Sequence, residues 1–152
     1  MILGLGSDIC DIRRIEKAIA RHGDRFLLRV FTDVERARAM SRPEGVRAAT
    51  LAKRFAAKEA ASKALGTGFA VGIFLSDVGV VNRANGQPTL ALTGAAAERL
   101  AALVPDGMAP RVDVSMSDEY PYAFAQVIIS AAPLSAVTTP GPGPDRSRDT
   151  LA

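Results

Sequence analysis

The longest run of helical periodicity in the chain is rich in alanine and spans about 23 residues, from Pro43 to Leu65. Pro43 suits the first position of a helix, and Gly66 can adopt the positive φ that closes a C-terminal cap. At the standard rise this helix would be roughly 34 Å long, enough to cross the whole domain. Because its side chains are small, neighbouring elements can approach it closely.

Shorter helical patterns come before the long one. The first carries Ile12, Ile15 and Ile19 at i, i+3 and i+7, with Asp8 or Asp11 available to cap it. A short apolar segment follows, and then a capping-box pattern that opens a further helix. The front half of the chain is therefore predicted to be largely helical after its first strand.

Extended patterns surround the helices. Five segments are predicted to be strands: 2–9, 77–82, 88–92, 112–117 and 122–130. Asn85-Gly86 marks a tight hairpin turn between the second and the third. A helix from Thr93 to about Val104 separates the two hairpins. This order predicts an α+β fold with a mainly antiparallel sheet of about five strands packed on the long central helix.

The chain is long enough for one domain with a buried core, given its 152 residues and 48% apolar content. We expect this domain to span residues 1–132. Residues 133–152 are rich in proline, glycine and polar side chains, which cannot bury enough surface to offset the entropy of ordering. They are predicted to form a disordered tail without catalytic function.

The cellular location is inferred from cysteine usage and hydropathy. Cys10 is the only cysteine, so no internal disulfide can form and a reducing compartment is expected. The first residues do not resemble a signal peptide, and no apolar run approaches the ~20 residues of a membrane span. The sequence therefore predicts a cytoplasmic protein with no membrane partner.

Charge is unevenly distributed along the chain. Residues 1–63 carry 14 Lys and Arg against 8 acids, whereas residues 64–152 carry 5 against 8. The front half therefore offers a basic surface for an anionic partner. Aromatic residues are scarce at 5% and tryptophan is absent, which disfavours nucleic acid. An acidic protein or a polyphosphate fits better, although a non-catalytic basic module that binds an acidic protein or RNA remains an alternative.

Two carboxylates and a lysine are the candidate chemistry. Glu59 and Lys63 share one helix face, and on their own they are better explained as a solvated i,i+4 ion pair. Asp8 follows an apolar strand, where a carboxylate is costly to desolvate unless it meets a cation. If the helix packs on that strand, Asp8 and Glu59 can share Mg²⁺, which readily keeps waters and accepts phosphate oxygens. Lys63 would reach the same phosphate.

Two separated motifs resemble one enzyme family. They are Gly4-Leu-Gly-Ser-Asp-Ile-Cys-Asp-Ile-Arg-Arg-Ile15 and Arg54-Phe-Ala-Ala-Lys-Glu-Ala-Ala-Ser-Lys63 followed by Ala-Leu-Gly-Thr-Gly68. The chain resembles, over residues 1 to about 132, the small 4'-phosphopantetheinyl transferases of the holo-[acyl-carrier-protein] synthase type. The resemblance implies their fold, a homotrimer with active sites at subunit boundaries, and acyl carrier protein and coenzyme A as partners.

The resemblance also implies a reaction and its catalytic residues. The 4'-phosphopantetheine arm of coenzyme A moves to a serine of apo acyl carrier protein, releasing adenosine 3',5'-bisphosphate, in support of fatty acid biosynthesis. Asp8 and Glu59 would hold Mg²⁺, and Glu59 and Lys63 would be catalytic. Glu59, through a metal-bound water, is the candidate general base, because His22 is the only histidine and Lys63 would need a strongly depressed pKa.

Further binding residues follow from the same resemblance. The coenzyme would contact Arg54, Lys63, Gly66, Thr67, Gly68 and Ser117, and the carrier protein would dock on Arg14, Arg21 and Arg25. Spacing alone leaves a merely solubilising face equally open for those three arginines. Some relatives have histidine at the position of Asp118, so the role of that side chain stays open. A transferase that serves a polyketide or peptide carrier also remains an alternative.

Overall fold

The computed structural model describes residues 1–70 and 72–136. One strand and four helices are followed by a hairpin, a helix and a second hairpin. In chain order the elements are β1 (Ile2–Asp11), α1 (Ile12–His22), α2 (Asp24–Val30), α3 (Asp33–Met40), α4 (Glu44–Ala64), β2 (Val78–Asn82), β3 (Pro88–Leu92), α5 (Gly94–Leu103), β4 (Met108–Glu119) and β5 (Tyr122–Pro133). Short 3₁₀ turns precede β2 and follow β5. The predicted α+β class and long helix are confirmed.

All strand pairs in the described residues are antiparallel, and they fall into two sheets. β5 lies between β1 and β4 in a three-stranded sheet, while β2 and β3 form a separate hairpin. The hairpin adjoins β4 through side chains, because Thr89 Oγ1 and the Arg83 guanidinium both donate to the carbonyl of Val112. The predicted strands therefore all form, with side-chain bonds in place of a continuous ladder between β3 and β4.

Helix α4 packs directly against β1, where two glycines make room for it. A Cβ atom on Gly6 would overlap the carbonyl oxygen of Ala60, and one on Gly4 would overlap that of Ala64. The alanines of α4 that meet the sheet are almost completely buried. The predicted close approach is confirmed, and it brings the last turns of α4 onto the middle of β1.

Two helix ends follow the predicted capping chemistry, whereas Pro43, predicted at the first position of α4, lies one residue before it. Asp11, rather than Asp8, caps α1 by accepting a hydrogen bond from the Arg13 amide. This leaves the Asp8 carboxylate available for other partners. At the other end of the helical half, α4 stops before Gly66, whose φ is 75°.

A buried ion pair ties three elements together. Lys58 of α4 and Glu35 of α3 are both fully buried, with 2.8 Å between Nζ and Oε2. Lys58 also donates to the carbonyls of Leu75 and Val78, and Glu35 accepts from the amide of Val80 at the start of the hairpin. Burial lowers the pKa of Lys58, and the charge of Glu35 opposes that shift.

The C-terminal prediction falls largely beyond the described part of the chain. Pro133 ends β5 and residues 134–136 form a short 3₁₀ turn. The remainder of the predicted tail, residues 137–152, lies outside the described residues. Among the residues that the structure describes, no helix is both long and apolar enough to span a bilayer.

Candidate active site

Asp8, Glu59 and Lys63 come together where α4 crosses β1. The Lys63 ammonium lies 2.8 Å from Oδ1 of Asp8 and donates to the carbonyl of Ser7 at 2.9 Å. Glu59 stands one helical turn before Lys63, on the same face of α4. The structure therefore brings the two carboxylates, 51 positions apart in the chain, to one location.

The pKa of Glu59 reflects its burial and the charge of the neighbouring Asp8 more than the two nearby cations. The pKa of Glu59 is raised, first by burial and then by the nearby charge of Asp8. Lys63 and Arg14 act in the opposite direction without cancelling these effects. Two close carboxylates with this imbalance favour the binding of a further cation.

The donor atoms at this location suit a hard divalent ion. Asp8 and Glu59 offer carboxylate oxygens, which Mg²⁺ prefers, and Mg²⁺ commonly takes only one or two such groups together with waters and substrate phosphates. No cluster of three or more His, Cys, Asp or Glu occurs within residues 1–70 and 72–136. The residues present thus fit an ion with a mostly open coordination shell and do not fit a closed structural metal site.

Arg54 lies in a second, strongly basic pocket. Its side chain is only 6% exposed, one terminal nitrogen donates to the carbonyl of Thr50 at 3.0 Å, and Nε has no partner within the described residues. The cavity, about 170 Å³, is also lined by Arg38, Arg42 and Lys53. Burial lowers the pKa of Arg54, as do Arg38 and Arg42, while Glu35 opposes them.

Arg38 and Arg42 were not identified from the sequence. They are four residues apart, but α3 ends at Met40, so Arg42 lies beyond the helix. Helical spacing therefore gives no reason to group them. Only the turn that leads into α4 brings Arg42 towards Arg54, and a single sequence does not reveal that geometry.

The predicted glycine turn is used mainly to end α4. The amides of Gly66, Thr67 and Gly68 donate to the carbonyls of the last helical turn, so they are already bonded. Arg99 of α5 adds a bond from Nε to the carbonyl of Leu65 at 3.0 Å. Contacts from this turn to a ligand would therefore come from the Thr67 side chain and the glycine Cα faces, with the amides engaged in capping.

Ser117 does not face the Asp8 carboxylate within one chain. Asp8 is opposite Ala125 of β5, which in turn is opposite Met116 of β4. Because side chains alternate along a strand, Ser117 lies on the other face of the sheet. Its neighbour Asp118 forms an ion pair with Lys53 of α4 at 2.6 Å.

The predicted docking arginines are all on the surface. Arg14 and Arg21 are exposed on α1, and Arg25 is exposed on α2. Arg14 also lies close enough to Glu59 to lower its pKa. The basic surface of the first two helices therefore begins beside the carboxylates.

Other candidate groups lie apart from this chemistry. Burial raises the pKa of the Cys10 thiol to about 11, so the thiol stays protonated at neutral pH, as expected for an unreactive cysteine. An apolar groove of about 380 Å³ lies between α1, α3 and α4. None of the predicted site residues lines that groove.

Comparison with known proteins gives consistent matches over most of the chain. The model of the 4'-phosphopantetheinyl transferase superfamily matches residues 4–125. The holo-[acyl-carrier-protein] synthase of Granulibacter bethesdensis is 63% identical over 143 residues, covering 94% of this chain and 99% of that protein. The protein of the same name from Caulobacter vibrioides strain NA1000 is 59% identical over 133 residues, covering 88% and 98%.

Solved structures agree with these sequence matches. The holo-[acyl-carrier-protein] synthase of Neisseria meningitidis is 34% identical, with a TM-score of 0.73, covering 86% of this chain and 99% of that one. The Helicobacter pylori protein of that name, solved in complex with coenzyme A, is 27% identical, with a TM-score of 0.68 and coverage of 83% and 99%.

Proposed function

The chain belongs to the 4'-phosphopantetheinyl transferase superfamily, and on that premise we propose that Asp8, Glu59 and Lys63 form the active site of a holo-[acyl-carrier-protein] synthase. The enzyme transfers the 4'-phosphopantetheine group of coenzyme A to a serine of apo acyl carrier protein, in support of fatty acid biosynthesis. The observation that carries the assignment of the site is the convergence of the two carboxylates and Lys63 where α4 crosses β1.

The reaction is a displacement at phosphorus. The serine oxygen forms a bond to the phosphorus that carries the pantetheine arm, and the bond from that phosphorus to the bridging oxygen breaks. Adenosine 3',5'-bisphosphate leaves with the bridging oxygen, and the serine proton passes to a base. The protein must therefore orient the diphosphate, accept one proton and stabilise negative charge on the leaving group.

Glu59 is the candidate base and Lys63 the candidate stabilising cation. Burial and Asp8 raise the pKa of the metal-free Glu59 carboxylate, and a carboxylate within hydrogen-bond reach of the serine hydroxyl can accept its proton. The Lys63 side chain is 52% exposed, so its ammonium can turn from Asp8 to a phosphate oxygen when the substrate binds. Its charge then opposes the negative charge that develops on the leaving group.

Mg²⁺ would be held by Asp8 and Glu59. The bound ion would supply positive charge to the diphosphate oxygens and help to align them for in-line displacement. Support comes from the donor type and from the proximity of the two carboxylates, since the charge of Asp8 raises the pKa of Glu59 after burial does. Asp8 would serve both as a ligand and as the resting partner of Lys63.

The nucleotide half of coenzyme A would occupy the basic pocket around Arg54. The guanidinium is buried, and its Nε has no partner among residues 1–70 and 72–136. Together with the other cations of that pocket, it favours anionic oxygens there. Lys63 and the Gly66, Thr67 and Gly68 turn would border the same ligand from the end of α4. Ser117 would contribute from a neighbouring subunit, because it faces away from Asp8 of its own chain.

A homotrimer would bring Ser117 of one subunit to the site of the next. The outer face of the three-stranded sheet supports association, because Leu5, Ile9, Tyr122 and Phe124 are exposed on it. Monomeric proteins rarely expose a large contiguous apolar patch, and copies of this chain are the partner that would cover it. The cytoplasm is the proposed location of the assembly.

The acyl carrier protein would dock on α1 and α2. Arg14, Arg21 and Arg25 offer exposed positive charge to an acidic partner, and charge complementarity of this kind accelerates association. Arg14 lies nearest to Glu59, so a carrier held there would present its serine to the carboxylates. The class of carrier protein that the enzyme modifies, from fatty acid, polyketide or peptide synthesis, is tested by comparing such carriers in one assay.

The proposed function is tested by measuring the mass of the carrier protein by mass spectrometry. Incubation with apo acyl carrier protein, coenzyme A and Mg²⁺ should raise the mass of the carrier by one phosphopantetheine group, and a chelator should prevent this. Asp8→Ala and Glu59→Ala should each abolish the mass change while the protein still folds. A basic binding module would instead bind the carrier without changing its mass, and removal of these acids would strengthen that binding.

A further inference from the structure

An ion pair stands between the two regions proposed to bind coenzyme A. Lys53 of α4 and Asp118 of β4 lie 2.6 Å apart, with side chains 28% and 32% exposed. Lys53 lines the basic pocket that contains Arg54, whereas Asp118 lines the groove that contains Ser117. The pair therefore joins the rim of the basic pocket to the rim of that groove.

The pocket on the Lys53 side holds more cations than anions. Arg38, Arg42 and Arg54 form no ion pair with a carboxylate anywhere in the described residues, and Lys53 is paired only with Asp118. Arg54 is only 6% exposed, and its Nε has no acceptor within the part of the chain that the structure describes. Four positive groups around about 170 Å³ are therefore arranged for a ligand with several anionic oxygens.

Lys53 differs from the three arginines because its position depends on a partner. A lysine side chain has four rotatable bonds, and an unpaired lysine at the rim of a pocket spends much of its time in solvent. The ammonium lies 2.6 Å from Oδ1 of Asp118, and because it carries three hydrogens it can donate to a further acceptor. The carboxylate thus holds the ammonium at the rim before any ligand arrives.

We propose that Lys53 binds a phosphate group of coenzyme A in this pocket and that Asp118 is its positioning residue. The inference rests on the proposed function for the identity of the ligand. It gives a role to the side chain of Asp118, which the sequence left open. The phosphate concerned is either the 3'-phosphate or the diphosphate, which share the same chemistry.

Direct binding of coenzyme A by isothermal titration tests the role of Lys53 without requiring turnover. Lys53→Gln should weaken binding about tenfold, the scale of one lost charge-assisted hydrogen bond. Lys17→Gln, an exposed lysine of α1 with the same change of charge, should leave binding within about twofold. Unchanged binding in Lys53→Gln would overturn the proposal.

Repeating the titration with dephospho-coenzyme A identifies the phosphate that Lys53 binds. If Lys53→Gln loses affinity for coenzyme A only, Lys53 binds the 3'-phosphate. If it loses affinity for both ligands equally, Lys53 binds the diphosphate.

The positioning role of Asp118 is tested by steady-state kinetics. Asp118→Ala should raise the KM for coenzyme A about threefold to tenfold, with kcat within about twofold, because the ammonium is no longer held at the rim. Asp118→Glu, which keeps a carboxylate, should return the KM to within about twofold of the wild-type value. A KM that stays unchanged or falls in Asp118→Ala would contradict the positioning role.

A charge exchange separates ligand positioning from a purely structural link between α4 and β4. The double variant Lys53→Asp with Asp118→Lys should restore the ion pair and hence the melting temperature, yet it places a carboxylate in the basic pocket. We expect its KM for coenzyme A to stay about tenfold high. Recovery of the wild-type KM would show that the pair is only a structural link.

Failure of the proposed function has a different signature. A wild-type protein that binds coenzyme A but never modifies a carrier would refute the proposed function, and the binding test of Lys53 would still stand.

Discussion

Glu59 shows, at the scale of one residue, how a property that suits catalysis opposes folding. Its pKa is raised in the folded chain by burial and by Asp8. The folded state therefore binds a proton more readily than the unfolded state does, so stability falls as pH rises through this interval. At neutral pH the ionised Glu59 makes folding less favourable than a neutral side chain of the same shape would.

Glu59→Gln should therefore melt at a higher temperature than the wild type at pH 7 in the presence of a chelator, while losing nearly all turnover. The difference in melting temperature should disappear below about pH 3, where the glutamate side chain is almost fully protonated in both states. Melting followed by circular dichroism across this pH range is the measurement. A lower melting temperature for Glu59→Gln at pH 7 would show that the ionised carboxylate is already compensated without metal.

Lys63 is expected to act on the rate more than on binding. Lys63→Ala should lower kcat by about 10²–10³, because a charge aimed at the leaving group is lost. Lys63→Met should change the free energy of unfolding by less than about 1 kcal/mol, because the pair with Asp8 is solvent-accessible. Single-turnover kinetics and denaturant unfolding check the two expectations. A large loss of stability with normal kcat would reverse this assignment.

Single residues also show where sequence reasoning reached its limit. The pairing of Asp8 with the Glu59 and Lys63 face of α4 followed from a carboxylate on an apolar strand and a helix of small side chains. Lys58 and Lys63 are the same residue type in one helix, yet Lys58 is buried against Glu35, whereas Lys63 is half exposed beside Asp8. Residue type does not distinguish the two positions, because the difference depends on which helix face meets α3 and the hairpin.

At the scale of elements, the packing of α4 on β1 sets the geometry of the site. Gly6→Ala should destabilise the chain by about 3 kcal/mol or more, because its methyl group would overlap the backbone of Ala60. Gly45→Ala is the matched control: a Cβ there meets nothing within 4 Å, and alanine favours helix, so stability should hold or rise. Urea unfolding compares the two, and equal losses of stability would refute the close-packing explanation.

The buried pair between α3 and α4 is a second test at this scale. Lys58→Met leaves Glu35 buried without its cation and should cost about 3–5 kcal/mol of unfolding free energy. Lys63→Met, in the same helix but solvent-accessible, serves as the control. If Lys58→Met unfolds at the same denaturant concentration as wild type, the pair does not hold the hairpin to α4.

The elements themselves were largely predictable, because each has a local signal. The Asn85-Gly86 hairpin and the capping box at Thr32 both form as expected. The division into two sheets was not predictable from these signals. It depends on side-chain bonds from Arg83 and Thr89 to the backbone of β4, which join segments more than 20 residues apart.

At the scale of the whole molecule, the uncovered sheet face predicts self-association. Sedimentation equilibrium should give three times the chain mass of 16.0 kDa. Ile9→Asp, on the outer face of β1, should reduce the mass to that of one chain and remove activity with it, because Ser117 no longer reaches a neighbouring site. Phe74→Asp is the control, since Phe74 is equally exposed but lies outside the sheet. An active monomer of the Ile9 variant would rule out a shared site.

The assembly is also where a single sequence tells least. The alternation of side chains along β1 and β5 predicts that the sheet has two faces. It does not indicate that the outer face is apolar enough to require a partner. Ser117 is the clearest example, because its side chain and that of Asp8 lie on opposite faces of the sheet in one chain. One chain therefore cannot bring both to the same coenzyme A. Its role depends on a second copy and not on the fold of one.

The most direct test is a crystal structure with coenzyme A and Mn²⁺, a substitute for Mg²⁺ whose anomalous scattering identifies its position. We predict an anomalous peak within coordination distance of both the Asp8 and the Glu59 carboxylates and of a diphosphate oxygen. An ordered diphosphate with Mn²⁺ bound elsewhere, or with Lys63 still holding Asp8 and no metal between the carboxylates, would contradict the proposed active site.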